Sequence, residues 1–192
     1  MNGKELLARG IEVVTFLFAM FGGFLTAIAP PEETDAKFAV GLSSFFALVV
    51  LLFIAVFVKK SKQKKYQKIW LGVAAFAFLL SIPSAFFYKS YLNQLTFPYP
   101  PDNIKAEWVR GTELTPLARE YQASQPGITP AELVANFGGM GNRELVWTPD
   151  SINRAKLILL VNYTLLVMSL ALTIFCLTEG LLRPASKKGV GT

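Results

Sequence analysis

The chain has 192 residues, of which 53% are hydrophobic, 13% aromatic and only 17% charged, and its formal net charge is +6. Soluble domains carry about 45–50% apolar and about 25% charged residues, so the composition excludes an ordinary water-facing globule. The chain has no histidine and one cysteine. These counts argue against a histidine-based hydrolase, a zinc or haem protein and a disulfide-stapled secreted domain, and we expect no cofactor or metal site.

Four stretches of the chain lack charged residues over roughly the 17–25 residues that a bilayer requires. They cover residues 13–31, 38–58, 69–88 and 157–178. A helix buried in a soluble core is usually shorter and carries a polar stripe. The sequence therefore predicts an all-α integral membrane protein. Its fold would be a bundle of four transmembrane helices, with a small helical extracytoplasmic region between the third and fourth.

The first span has two interpretations. Lys4 and Arg9 precede an apolar run that ends in an Ala-Ile-Ala sequence before Pro30, a pattern that also fits a cleavable signal peptide. The apolar run is long for a signal peptide, and cleavage would leave a proline as the first mature residue. We therefore expect the first span to remain in the membrane as a signal anchor.

The connector between the second and third spans is strongly basic. Six of its ten residues are lysines: Lys59, Lys60, Lys62, Lys64, Lys65 and Lys68. Because basic loops stay in the cytoplasm, we predict that this loop and both termini are cytoplasmic in a bacterial inner membrane. Each lysine near anionic lipid contributes about 1 kcal/mol, so the loop is expected to bind anionic headgroups. The alternatives are that it only determines topology, or that it binds an acidic cytoplasmic protein; a nucleic-acid partner is not expected.

These features divide the chain into four segments. Residues 1–88 contain the first three spans with the basic loop 59–68, residues 89–148 form an extracytoplasmic subdomain, residues 149–183 form the fourth transmembrane helix, and residues 184–192 are a cytoplasmic tail. The extracytoplasmic segment begins with a proline-rich stretch that is incompatible with a regular helix.

Three Thr-Pro pairs, at Thr115, Thr129 and Thr148, are typical of helix starts. Glu132 completes a capping box with Thr129, and the short helix that opens there should end near Phe137, before a pair of glycines. Thr148 is expected to cap the helix that continues as the fourth span. The extracytoplasmic segment should therefore hold two or three short helices.

Two tryptophans, Trp108 and Trp147, are the most prominent apolar residues of the extracytoplasmic segment. One interpretation places them in a small core or at the headgroup level, with Tyr121, Phe137 and Met140 as further apolar contacts. The other is that they line a site for a lipid or an extracytoplasmic ligand. We expect the first.

Small residues recur every four positions on three of the spans. They are Ala19, Gly23 and Ala27; Ala39, Ser43 and Ala47; and Ala77, Ser81 and Ala85. Such stripes let membrane helices approach closely, so they predict a compact bundle, a homo-oligomer, or both. Asn162 is expected to add a hydrogen bond to another span, with a pore-lining or substrate role as the alternative.

The middles of the spans contain no acid or base, which argues against a proton relay. Cys176 alone supplies no metal or haem site, and we expect no enzymatic activity. The leading hypothesis is a membrane subunit, anchor or sensor that assembles with itself or with a cytoplasmic partner. The alternative is an oligomeric pore-forming or channel-like effector, for example in a stress or defence system. A small-solute transporter is disfavoured because the chain shows no internal repeat.

Overall fold

The computed structural model describes residues 29–31, 33–58, 64–100 and 107–182, together with six isolated positions between residues 8 and 19. Helices make up 79% of the structure. In chain order the elements are α1 (Glu33–Val58), α2 (Lys64–Leu95), β1 (Thr96–Pro98), β2 (Glu107–Val109), α3 (Pro116–Ser124), α4 (Pro130–Asn136), a short 3₁₀ helix (Met140–Leu145) and α5 (Pro149–Leu182). Most of the first predicted span lies outside the described residues.

Among the described residues, two helices are long and apolar enough to cross a membrane. They are the 29-residue stretch Gln67–Leu95 of α2 and the 32-residue stretch Pro149–Gly180 of α5, which contain the third and fourth predicted spans. α1 contains a shorter apolar stretch, Lys37–Leu51. The mostly helical fold is thus confirmed, whereas the four-span bundle stays a prediction.

The structure forms two compact units. The helical unit includes Val40–Ala85 and the part of α5 that begins at Thr164. The subdomain consists of Ala29–Ala39 and Phe86–Tyr163. The long helices α2 and α5 each contribute residues to both units, so the predicted division at residues 88 and 149 does not coincide with the units.

In the described part of the helical unit, the core residues come from α1, α2 and α5. Its buried residues are Leu51 from α1, Trp70 and Ala74 from α2, and Phe175 and Cys176 from α5. The rings of Trp70 and Phe175 meet edge to face, with their centroids 6.1 Å apart. Burial of these large rings and aliphatic chains holds the three helices together.

A hydrogen bond and a close approach also join α2 to α5. Gln67 Nε2 donates to the carbonyl oxygen of Gly180 over 2.9 Å. A Cβ atom at Gly180 would lie only 3.2 Å from Leu71 Cδ2 and 3.4 Å from Trp70 Cβ. The absence of a side chain at Gly180 therefore allows the two helices to approach closely.

The subdomain contains a strand pair that the sequence did not predict. β1 and β2 are antiparallel, with Phe97 opposite Trp108. The core behind them contains Phe97, Ala118, Ala131, Leu133, Val134, Val146, Trp147 and Ile152. The proline-rich stretch is indeed non-helical, but its first residues form an edge strand. Proline is tolerated there because an edge strand is hydrogen-bonded to a neighbouring strand on one side only.

Two of the three predicted caps are confirmed. The Thr115 hydroxyl accepts from the Ala118 N–H over 3.3 Å, and Thr129 and Glu132 form the reciprocal capping box at the start of α4. α4 ends at Asn136, as expected, and the following Gly138 and Gly139 have φ values of 92° and 85°. Only glycine adopts such angles without strain.

The third predicted cap is wrong. α5 begins at Pro149 as expected, but the Thr148 hydroxyl is buried without a hydrogen-bond partner in the described part of the chain. The backbone N–H of Thr148 instead pairs with the carbonyl oxygen of Glu113 over 3.0 Å. In the first turn, the Ser151 hydroxyl donates to the Thr148 carbonyl oxygen over 2.9 Å.

Candidate functional site: a cavity in the subdomain

An open cavity of about 390 Å³ lies within the subdomain. Its lining comes from the end of α2, the segment after β2, the helices α3 and α4, and the residue two positions before α5. The volume falls at the small end of the roughly 300–1,000 Å³ that is typical of small-molecule sites. Such sites combine an apolar lining with a few well-placed polar groups.

The floor of the cavity is apolar and rigid. Leu95, Leu133 and Trp147 line it, and each is less than 8% exposed. The ring of Trp147 packs on Phe97, with the centroids 5.3 Å apart. A bridge between Leu114 and Trp147 fixes the backbone there, so the indole holds its position against the core.

Arg110 brings a positive charge to the cavity wall. Its backbone N–H donates to the Leu95 carbonyl oxygen over 2.9 Å, which extends the strand pairing by one residue. Its Nε donates to the Gln94 carbonyl oxygen over 2.6 Å. Within the part of the chain that the structure describes, no carboxylate pairs with the half-buried Arg110. The two terminal nitrogens of its guanidinium therefore remain as donors.

The absence of a side chain at Gly111 allows the backbone there to pack closely against Trp147 in the cavity floor. A Cβ atom at this position would collide with Ser151 Oγ and would lie 2.5 Å from Trp147 Cβ. Real Cβ atoms do not approach a neighbouring side chain so closely. Only glycine fits between Arg110 and Thr112, and it lets the Arg110 backbone run beside Trp147.

The two predicted tryptophans have different roles. Trp147 belongs both to the core and to the cavity floor. Trp108 is half-buried at the edge of the core, where its Nε1 donates to the Tyr99 carbonyl oxygen over 3.2 Å. Sequence reasoning missed Arg110 and Gly111, because no pattern separates Arg110 from the other four basic residues of the extracytoplasmic segment.

The small-residue stripes are only partly buried. Ala39, Ser43, Ala47, Ala77 and Ser81 are buried, Ala19 and Ala85 are exposed, and Gly23 and Ala27 lie outside the described residues. Residues that recur every four positions do not stay on one face of a helix, because the helix has 3.6 residues per turn. On α2 the buried face consequently passes from Ser81 to Tyr88, and Ala85 turns away from it.

Among the described residues, Asn162 bonds within its own helix, and its expected bond to another span stays a prediction. Its Nδ2 donates to the carbonyl oxygen of Ile158, one turn earlier on α5, over 2.8 Å. The amide thus reaches back along its own helix. A neighbouring side chain of α5, Thr164, does contact another helix: its Oγ1 lies 3.0 Å from the Ser43 Oγ of α1.

The basic loop is shorter than predicted, because α2 already begins at Lys64. Lys64 and Lys65 therefore belong to the first turn of a helix, and Lys68 is an exposed residue of the next turn. Lys59, Lys60 and Lys62 lie outside the described residues. Their proposed contacts with lipid or protein are not visible in the structure of a single chain.

Among the described residues, no group of three or more histidine, cysteine, aspartate or glutamate side chains could hold a metal ion. Comparison with protein-family models, with curated proteins and with solved structures found no match to this chain, so no family is assigned.

Proposed function

We propose that the chain is a non-enzymatic, multi-pass membrane protein, a subunit, anchor or sensor whose subdomain samples the extracytoplasmic side. The outward surface of α2 carries this proposal. Six of its large apolar side chains are more than half exposed: Phe76, Phe78, Leu79, Ile82, Phe86 and Phe87. A contiguous apolar surface of this kind is unfavourable in water and is suited to lipid.

The polar side chains of the long helices agree with a lipid environment. In a bilayer each polar group needs a partner within the protein. The Ser81 hydroxyl donates to the Phe78 carbonyl oxygen, and the Thr173 hydroxyl donates to that of Ser169. Because these hydroxyls are used inside the protein, they favour an anchor over a water-filled pore, whose wall needs free polar groups.

The charge distribution supports an orientation. The lysines of residues 59–68 precede or begin α2, and basic residues also follow α5. The positive-inside rule places both of these ends in the cytoplasm. The subdomain between α2 and α5 is then extracytoplasmic, and the basic loop faces the anionic lipids or an acidic protein on the inner side of a bacterial membrane.

Cysteine labelling tests both the membrane location and the orientation. The one native cysteine, Cys176, is buried and can be replaced by serine. On that background, Ser124→Cys at the exposed end of α3 should react with a membrane-impermeant maleimide in intact cells. Lys62→Cys, the matched variant in the basic loop, should react only after permeabilisation. Recovery of the chain in the soluble fraction, or the reverse labelling pattern, would contradict the proposal.

Assembly is a separate part of the proposal. The small-residue stripes favour close contacts between helices, and the basic loop favours an acidic partner. Native mass spectrometry from lipid nanodiscs should show a homo-oligomer or a co-purifying cytoplasmic protein. A strictly monomeric particle without a partner would contradict this part. Ion flux through the reconstituted protein in liposomes would instead favour the channel-like alternative.

A further inference from the structure

We propose that the subdomain cavity binds a small organic anion, a single carboxylate or phosphate attached to an apolar group. The Arg110 guanidinium would hold the anionic group, and Leu133 and Trp147 would contact the apolar group. The inference deepens the proposed sensor function. It rests on that proposal because the orientation of the chain decides which side of the membrane the cavity samples.

The charge at the cavity points to an anion. Arg110 contributes a permanent positive charge, and none of the described residues that line the cavity is acidic. Its Nε already donates to the Gln94 carbonyl oxygen, which fixes the plane of the guanidinium. The terminal nitrogens can then donate two parallel hydrogen bonds, the geometry that carboxylates and phosphates accept.

The apolar side chains in the floor of the cavity indicate that the remainder of the ligand, beyond its anionic group, is apolar. Leu95, Leu114, Leu133 and Trp147 line the cavity, so part of its wall is apolar and a purely inorganic ion would leave that part without a contact. The neutral polar side chains of Gln94 and Gln122 belong to the lining and are exposed. This combination suits an amphipathic molecule with its charge at one end.

The size of the cavity limits the ligand to a small molecule. A volume of about 390 Å³ admits a metabolite-sized anion or the headgroup of a lipid, but not a folded partner. A soluble organic acid and an anionic phospholipid present the same chemistry to Arg110. The experiment therefore needs one arm for each source.

Binding can be measured on the full chain in nanodiscs of phosphatidylcholine, with tryptophan fluorescence as the signal because Trp147 lines the cavity. Phenylacetate is the anionic probe, and phenylacetamide is its neutral match. We expect saturable binding of phenylacetate and binding of the amide that is about tenfold weaker or more, because hydrogen bonds to charged groups are the strong ones.

Three variants separate the charge of Arg110 from general effects. Arg110→Gln should weaken phenylacetate binding by about tenfold or more. Arg119→Gln removes an exposed arginine of α3 that does not line the cavity, and it should bind like the wild type. Gln122→Glu leaves Arg110 in place and adds a negative charge to an exposed lining position, so it should also weaken binding, even if Arg110→Gln fails to fold.

A second arm identifies the source of the anion. If a phospholipid headgroup occupies the cavity, adding phosphatidylglycerol to the nanodisc should compete with phenylacetate in the wild type. If the ligand is a soluble acid, the affinity should not change with the lipid. Equal affinity for the acid and the amide, an unchanged Arg110→Gln variant, or no saturable binding overturns the inference. A chain that is labelled in the expected orientation but binds no anion leaves the membrane proposal intact.

Discussion

Ser43 Oγ and Thr164 Oγ1 lie 3.0 Å apart and join α1 to α5 within the helical unit. Ser43 is fully buried, with 0% of its surface exposed. It belongs to a stripe of small residues, so the same position brings the helices together and supplies a polar bond between them. This pair links α1 to α5, as the hydrogen bond from Gln67 to Gly180 links α2 to α5.

The Ser43–Thr164 pair should contribute measurable coupling to the stability of the helical unit. A double-mutant cycle with Ser43→Ala and Thr164→Val should give a coupling free energy of about 0.6 kcal/mol, the average for hydrogen bonds between membrane helices. The value is small because each hydroxyl can bond to its own helix once its partner is lost. Unfolding of the four proteins in mixed micelles measures it.

Ser44 provides the control for this cycle. Its hydroxyl donates to the Val40 carbonyl oxygen of its own helix over 2.6 Å. A cycle of Ser44→Ala with Thr164→Val should therefore show no coupling. Coupling that is equal for Ser43 and Ser44 would mean that the bond between the helices makes no specific contribution.

The parts of the fold that depend on neighbouring residues could be predicted from the sequence. Apolar runs indicated α2 and α5, and the Thr-Pro pairs at Thr115 and Thr129 indicated the start of two short helices. The sequence indicated the third span only as far as residue 88, because loss of hydropathy marks the edge of a membrane span and not the end of a helix. α2 continues to Leu95.

The cavity could not be predicted, because it depends on residues that are distant in the chain. Gln94, Arg110, Gln122, Leu133 and Trp147 come together only after β2 pairs with β1 and the segment at Leu114 pairs with the segment before α5. None of these pairings could be inferred from the spacing of apolar residues along a helix or a strand. The role proposed for Arg110 depends on a lining in which no described residue is acidic, and only the fold reveals that lining.

The capping box of α4 should stabilise the subdomain. The Thr129 hydroxyl accepts from the Glu132 N–H, and the Thr129 N–H donates to Glu132 Oε2 over 2.8 Å. Thr129→Ala removes the cap and should lower the free energy of unfolding of α4 by about 1 kcal/mol. Hydrogen exchange of the amides of α4 in the full chain measures this loss. Unchanged exchange there would show that core packing alone holds α4.

The contribution of Glu132 should depend on pH. The hydrogen bonds from the backbone and the hydroxyl of Thr129 lower the pKa of the Glu132 carboxyl. A carboxyl whose pKa is lower in the folded state stabilises the fold above its unfolded pKa, and this effect disappears as the pH falls through the folded pKa. Glu132→Gln should thus destabilise α4 at about pH 7, and its effect should shrink as the pH falls below the unfolded pKa of about 4.3 and through the lower folded pKa. Glu120→Gln, on the exposed side of α3, is the charge control at each pH value.

Gly180 should be essential for the contact between α2 and α5. Gly180→Leu would place a side chain against Leu71 and Trp70 and would push Gln67 away from its carbonyl partner. Overpacking of this kind costs about 1–3 kcal/mol, and unfolding in mixed micelles should show it. Gly72→Leu is the matched control on α2, because a Cβ at Gly72 meets no atom within 4 Å. Equal losses for the two variants would contradict a specific contact at Gly180.

Gly111 should be the residue of the subdomain that is most sensitive to a single added methyl group. The Cβ of Gly111→Ala would collide with Ser151 Oγ and Trp147 Cβ, and the Trp147 ring packs against Phe97. We expect a loss of about 1–3 kcal/mol in the stability of the subdomain, measured by hydrogen exchange of the amides of α3 and α4. Gly141→Ala is the control, because a Cβ there meets nothing within 4 Å. If both alanine variants exchange like the wild type, Trp147 can move, and the rigid cavity floor on which anion binding depends does not exist.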